Sequence, residues 1–389
     1  MSPTAPTLET PDGVVATHGL PEVSELDLLS RALHAGSVVS DVALRTAVAT
    51  AVTAASIPGG ALTWGRKERA NLAFHADLAR TATAEEVFVR PPRGVPVVER
   101  LSSSGLPELP GGRARNLQFT SPYVARNPAM RADYARHRRN GVGWAQHWRH
   151  DDGPRPTLCV IHGFGAAQYW FNSAFFSLPQ FFAQGWDILL YTLPFHGPRG
   201  ATRRNLINGS EVFSHGFATF NEAMIHAVHD FRILVDHLEA LGAPRIALTG
   251  LSLGGYTSAM VATVEDRLDA VIPNAPVTNL PVLLREWVPA GVGIGLLGAL
   301  HGAGREQLDA ALAVHSPLSY PPVIPRERLM IIGGLGDRLA PPQQSVDLWE
   351  HWGHPRLHWY RGSHVMHFSR GAYLDEMREL LGPPLSVAA

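Results

Sequence analysis

Lysine is almost missing from this chain: of 33 basic residues only Lys67 is a lysine, and the rest are arginines. Schiff-base chemistry and a phosphate-binding P-loop would both hang on Gly65-Arg66-Lys67-Glu68. That context lacks the preceding glycine-rich loop and a following Ser or Thr, so lysine chemistry is excluded. Cysteine is equally scarce. Cys159 stands alone, which rules out an internal disulfide framework and a cysteine zinc site. It lies in the apolar run Leu158-Cys159-Val160-Ile161 and reads as a small buried thiol. Charged residues are few, 17%, and balanced, 33 basic against 34 acidic. There is no global pull towards nucleic acid and no acidic-tail character. Long apolar runs are absent too: the most Ala/Val-rich stretch, 42–57, contains Arg45 and several threonines and is too short to span a bilayer. Residues 1–20 lack the basic start and apolar stretch of a signal peptide. A soluble cytoplasmic protein without stable membrane insertion is the expectation.

What is present suffices for a large core. The chain has 389 residues, 45% of them apolar, which at about 150 residues per domain suggests two to three domains. Residues 1–112 are set apart as a tail, a helical region and a linker. The Pro/Thr-rich 1–22 reads as a loose tail. Residues 25–78 carry helix-compatible spacings broken at Pro58-Gly59-Gly60, and 90–112, rich in Pro, Gly and Ser, reads as a connection. Arg131, Arg136, Arg138 and Arg139 read as a solvated helix face.

From about residue 141 the pattern changes to strands alternating with helices, which implies a mostly parallel sheet covered by helices on both faces. The strand candidates are 143–148, 157–161, 187–192, 245–249, 270–273, 329–332 and 357–360. Several are short continuous apolar runs, as expected of strands buried on both sides. A helix over 220–241 has an apolar stripe at a 3.6 period. His226, His229, Asp230 and His237 fall off that stripe and read as a polar outer face. The i, i+3 pair His226 and His229 is therefore not taken as a metal site.

Gly250-Leu251-Ser252-Leu253-Gly254-Gly255 carries the strongest chemical signal. It follows the apolar Ile246-Ala247-Leu248 and precedes a helix-compatible stretch, so the serine sits on a strand–turn–helix. Such a turn is sharp and strained; the glycines let neighbouring backbone pass, and the hydroxyl stays exposed at the sheet edge. The helix N-terminus behind it favours developing negative charge. A serine nucleophile needs a base, and the base an orienting group. Asp337 ends the strand-to-turn segment Ile331-Ile332-Gly333-Gly334-Leu335-Gly336-Asp337, and His364 ends Leu357-His358-Trp359-Tyr360-Arg361-Gly362-Ser363-His364. Both follow strand C-termini, where open α/β sheets place their ligands.

With the order Ser252, Asp337, His364, the chain over residues 141–389 resembles the α/β-hydrolase superfamily. His162-Gly163-Phe164-Gly165 matches that family's His-Gly oxyanion motif, and Leu193-Pro194-Phe195-His196-Gly197 its loop ending in His-Gly. The resemblance implies Ser252 as nucleophile, His364 as base and Asp337 as its partner, with the Phe164 and Leu253 amides forming the oxyanion hole. Residues before about Arg115 match nothing in the family. His367, three positions beyond His364, is the rival base. His351, His354, His358, His162 and His196 read as structural, and Asp347 and Glu350 as solvated residues of the next helix.

More than fifty residues separate the strand near Pro273 from the one near Leu329, too many for a simple connection. The greasy, glycine-rich run 288–297 predicts a helical cap over the site, with Ile294 and Leu296 contacting substrate. The expected organisation is 1–112 N-terminal region, 113–275 core, 276–326 cap insertion and 327–389 core again. The reading is a serine hydrolase that cleaves a small-molecule carboxylic ester with an apolar acyl group, with no metal and no organic cofactor. An acyltransferase, an amidase or peptidase, and a non-catalytic receptor on the same fold are the alternatives. Oligomeric state stays open, the N-terminal region being a candidate dimerisation element or second lid.

Overall fold

The computed structural model describes residues 8–9, 15–16, 36, 38–50, 53, 65–102, 109–200, 207–287, 291 and 304–384. Its centre is a ten-stranded sheet. In chain order the strands are β1 Val97–Leu101, β2 Gly112–Thr120, β3 Val142–His150, β4 Thr157–Ile161, β5 Asp187–Thr192, β6 Ile246–Leu251, β7 Ala270–Asn274, β8 Met330–Gly334, β9 Arg356–Gly362 and β10 His367–Phe368. Across the sheet they run β10-β9-β8-β7-β6-β4-β5-β3-β2-β1. From β5 through β9 the pairings are parallel, while β1, β2, β3 and β10 join antiparallel at the edges. All seven strands expected from the sequence are present.

The parallel strands form because their residues can be buried on both sides. Along β4, Cys159 and Ile161 face one apolar cluster with Leu189, Tyr191 and Leu248, whereas Leu158 and Val160 face another with Ile188, Leu190 and Phe182. The first face is covered by helix α1 (Arg66–Thr81), the long α2 (Phe217–Ala240) and α3 (Leu253–Val261); the second by the C-terminal α4 (Arg370–Leu381). Burying an aliphatic or aromatic side chain stabilises the fold by about 1.5–3 kcal/mol, so residues such as Phe231 and Met377 carry much of the layer packing. Cys159 is fully buried, as its apolar context implied.

Two expectations fail here. The Pro/Gly/Ser-rich stretch 90–112 is not merely a connection: β1 pairs with β2, and β2 with β3, extending the sheet. These outer strands hold by backbone ladders and half-buried side chains, so the polar β2 run Gly-Arg-Ala-Arg-Asn-Leu-Gln-Phe-Thr gives little hydrophobic signal. The outer face of α2 is also not solvated. His226, His229 and Asp230 are buried. The segment before β3, the loop after β5 and the helix α1 cover that face: Asp230 receives Arg199 of the β5 loop at 2.7 Å and Ser121 at 2.5 Å, and Glu222 meets His75 of α1 at 2.9 Å. Burial opposes ionisation of Asp230, but His226 and Arg199 beside it hold its carboxyl well below the usual range. Arg131, Arg136, Arg138 and Arg139 are exposed, as expected.

The break at 58–60 and most of the apolar run 288–297, including Ile294 and Leu296, lie outside the described residues. Within residues 276–326, helices Leu280–Glu286 and Arg305–Leu312 flank that run, and the second packs against α1. No described helix is long and apolar enough to cross a membrane.

Candidate active site

Strand β6 delivers Ser252 to the C-terminal edge of the parallel strands, one residue before α3 begins. Its backbone is at φ 57°, ψ −113°, a region a side-chain-bearing residue occupies only when its surroundings enforce it. Those surroundings are visible. The Ser252 N–H donates to Asn274 O at 2.9 Å, and its carbonyl accepts from Tyr256 N at 2.8 Å. Gly254 passes so close to β4 that a Cβ there would stand 2.0 Å from the Ile161 carbonyl oxygen. Only glycine fits that turn. No described residue hydrogen-bonds the Ser252 hydroxyl.

The loop after β4 wraps the same turn. A Cβ on Gly163 would lie 3.5 Å from Ser252 Cβ and 3.3 Å from the Leu251 carbonyl oxygen, so this loop is packed onto the serine. His162 holds it there. Its Nδ1 donates to Gly163 O at 2.8 Å, and its Nε2 accepts from Leu193 N at 3.1 Å, which sets one neutral tautomer. Burial lowers its pKa to about 3, with His196 adding to the effect. His162 is structural, as read from the sequence. Neither the Phe164 nor the Leu253 N–H donates to a carbonyl of the described residues. One lies beside the elbow and the other opens α3, where the first-turn amides have no partner within the helix. Phe164, Leu253, Leu193, Val212 and Met224 line a narrow apolar void beside these amides.

Strands β8 and β9 bring the acid and the imidazole to the same edge. Asp337 is fully buried and His364 almost so. His364 Nδ1 donates to Asp337 Oδ2 at 2.6 Å. The other carboxylate oxygen, Oδ1, accepts from the backbone N–H of Leu339 at 2.9 Å and of Ala340 at 2.7 Å. Burial pushes the Asp337 carboxyl up against the opposing effect of His364. Burial alone would lower the His364 imidazole, but the Asp337 charge and hydrogen bond outweigh it and hold the imidazole above its usual value. The structure thus joins two of the three residues directly and sets Ser252 on the same edge. No hydrogen bond links Ser252 to His364 here, a contact that commonly tightens only when substrate is bound.

The rival base is differently employed. His367 Nδ1 pairs with Tyr373 Oη at 3.0 Å and Nε2 with the His364 carbonyl at 3.1 Å, while its ring stacks on Tyr360. Burial depresses its pKa to about 3. With both nitrogens engaged, His367 buttresses the His364 loop. His196 donates from Nδ1 to Pro194 O at 2.9 Å, and His358 pairs with Glu376 at 2.7 Å, so both are structural. One buried acid escaped the sequence reading: Asp41, from the N-terminal helical stretch 38–50, accepts the backbone N–H groups of Arg338 at 3.0 Å and of His364 at 2.8 Å. A wider cavity, about 290 Å³, opens by Thr157 and Asp187 at the opposite edge of the sheet, away from these groups.

Residues 156–294 match the family model described as alpha/beta hydrolase fold. This chain has the α/β-hydrolase fold. Two solved α/β-hydrolase structures resemble it at TM-score 0.51. Acetyl xylan esterase 1 from Thermoanaerobacterium sp. JW/SL YS485 is 16% identical, over 82% of this chain and 94% of that one. The acetyl xylan esterase from Paenibacillus sp. R4 is 17% identical, over 80% and 94%. At such identities the likeness is one of fold. An uncharacterized protein of Mycobacterium tuberculosis strain CDC 1551 / Oshkosh is 33% identical over 231 residues, 57% of this chain and 52% of its own length. A protein of strain ATCC 25618 / H37Rv matches equally. The chain spans about half the length of these curated relatives.

Proposed function

We propose that this protein of α/β-hydrolase fold is a serine esterase that cleaves carboxylic esters with apolar acyl groups through an acyl-enzyme. The observation that carries the reading is Ser252, held at φ 57° on a strand-to-helix turn with its hydroxyl free of any described partner. Its edge is shared with a buried Asp337–His364 pair.

In this mechanism the His364 Nδ1 proton is committed to Asp337, which leaves the Nε2 lone pair as the base. Ser252 Oγ bonds to the ester carbonyl carbon as its proton passes to Nε2, and the carbonyl π electrons move onto oxygen. The Phe164 and Leu253 amides receive that oxyanion, each supplying about 3 kcal/mol of transition-state stabilisation. When the intermediate collapses, the bond to the alcohol oxygen breaks and the imidazolium returns its proton to the leaving alkoxide. Water then repeats the sequence on the acyl-enzyme and frees the acid. The apolar void beside Phe164, Leu193 and Leu253 supports an apolar acyl group. Ile294 and Leu296 are assigned to the same pocket, and 276–326 to a cap above it.

The test is a panel of p-nitrophenyl esters of graded acyl length with the wild type and Ser252→Ala. Turnover in the wild type and a loss of roughly 10⁴-fold or more in the variant are expected. Ester turnover unchanged by Ser252→Ala would remove the assignment.

A further inference from the structure

We propose that Asp41 is a positioning residue whose carboxylate clamps together the two loops bearing Asp337 and His364. The inference rests on the triad reading above and adds to it a device from outside the hydrolase core. The loops leave separate strands, β8 and β9. Direct backbone bonding between them runs through Leu335 N to Tyr360 O and ends at Gly336 N to Gly362 O, 2.9 Å. Beyond that point, among the described residues, the Asp337–His364 contact is made by side chains alone, and backbone drift of either loop would open it.

Asp41 stands where the ladder stops. A single oxygen, Oδ2, accepts the N–H of Arg338, the residue after Asp337, and the N–H of His364 itself. The carboxylate is 1% exposed although its helix presents many exposed residues, so it is directed inward at this junction. Arg45, one helical turn on, reaches the Arg338 carbonyl at 3.5 Å, a second tie from the same helix to the acid loop. The two amides Asp41 holds are 297 and 323 positions away in sequence, so this is tertiary docking of the N-terminal region onto the catalytic loops. The Asp41 charge also adds to that of Asp337 in favouring the protonated imidazole. Because positioning errors of about 1 Å cost rate more than affinity, the clamp acts on kcat.

The test compares full-length Asp41→Ala and Asp41→Asn with the wild type, using steady-state turnover of a short p-nitrophenyl ester and the rate of fluorophosphonate labelling at Ser252. Circular dichroism and thermal midpoints verify that each variant folds. The asparagine amide oxygen can accept both N–H groups, whereas alanine accepts neither. Asp41→Ala should lower kcat and labelling rate roughly tenfold or more with KM within about threefold, and Asp41→Asn should recover to within about threefold. A folded Asp41→Ala with wild-type kcat overturns the clamp, and so does a folded Asp41→Asn as impaired as the alanine variant. If Asp41→Ala does not fold, Asp41→Asn decides alone: near-wild-type kcat supports the clamp, and a folded but slow enzyme overturns it. A wild type that neither labels at Ser252 nor turns over esters would instead show that the triad reading has failed, and the clamp falls with it.

Discussion

Replacing Asp337 by asparagine is a nearly isosteric change whose outcome the local donors dictate. In the wild type Oδ1 takes two backbone N–H groups, from Leu339 and Ala340, and Oδ2 takes His364 Nδ1–H. Asparagine has one acceptor oxygen. Turned towards the two backbone donors, it keeps both of those bonds; turned towards His364, it sets its NH₂ against two N–H groups. With the ring proton moved to Nε2, the first orientation makes three bonds against one and avoids two donor–donor contacts, each buried mismatch costing about 1–3 kcal/mol. The NH₂ then faces His364 Nδ1 and makes it an acceptor, which moves the ring proton to Nε2. A protonated Nε2 cannot take the Ser252 proton. The same tautomer fault in a serine triad costs about 10⁴ in kcat, or about 5 kcal/mol of barrier. A pH profile gives an independent signature. The base works when neutral, so kcat/KM falls as pH drops through the His364 pKa, which Asp337 holds above the usual histidine value. The groups facing the imidazole are Asp337, Asp41 and His367, the last neutral at these pH values. Without the Asp337 charge burial dominates, and the acid limb of the residual activity should move to lower pH. An asparagine variant within tenfold of wild-type kcat, with an unmoved acid limb, would refute the assignment of Asp337 as the orienting acid.

Other expectations follow from the same geometry. His364→Ala should be nearly as damaging as Ser252→Ala, because members of one catalytic unit do not add, whereas His367→Ala should keep activity within about tenfold; the reverse ranking would move the base to His367. Gly254→Ala forces a Cβ to 2.0 Å from the Ile161 carbonyl oxygen, so overpacking should cost about 1–3 kcal/mol or more and depress the thermal midpoint, an effect that a silent scan would contradict. Catalytic efficiency should rise by up to about 0.8 kcal/mol per methylene from acetyl to medium-chain esters before falling. A charged residue at Ile294 or Leu296 should hurt medium-chain esters more than acetyl ones; equal losses would place both residues outside the acyl pocket.

The parts legible in the sequence were those where burial or backbone strain restricts residue choice. Strands β4, β5, β6 and β8 lie under helices on both faces, so their continuous apolar runs identified them. Gly254 and Gly250 flank Ser252 because no Cβ fits there, and that requirement is written in the motif. Asp337 and His364 each end a strand-to-turn segment, which placed them on one edge before their 2.6 Å contact was seen. Structure that rests on backbone pairing or on distant partners left no such mark. The polar strand β2 is joined through ladders to β1 and β3. His226 and Asp230 looked solvated because the stripe of α2 accounts for one face only, and nothing local tells of Arg199 and Ser121 arriving on the other. Asp41 was invisible for the same reason: on an isolated helix an aspartate is an ordinary surface acid, and its partners lie 297 and 323 residues on.

The central claim is that Ser252 is an activated nucleophile served by His364 and Asp337. It is tested most directly by treating the pure protein with a fluorophosphonate, weighing the intact adduct and mapping the modified peptide. The account predicts one adduct per chain, on Ser252, absent from Ser252→Ala and strongly slowed in His364→Ala. An adduct on another residue, or labelling of Ser252 at the same rate after His364→Ala, would contradict it.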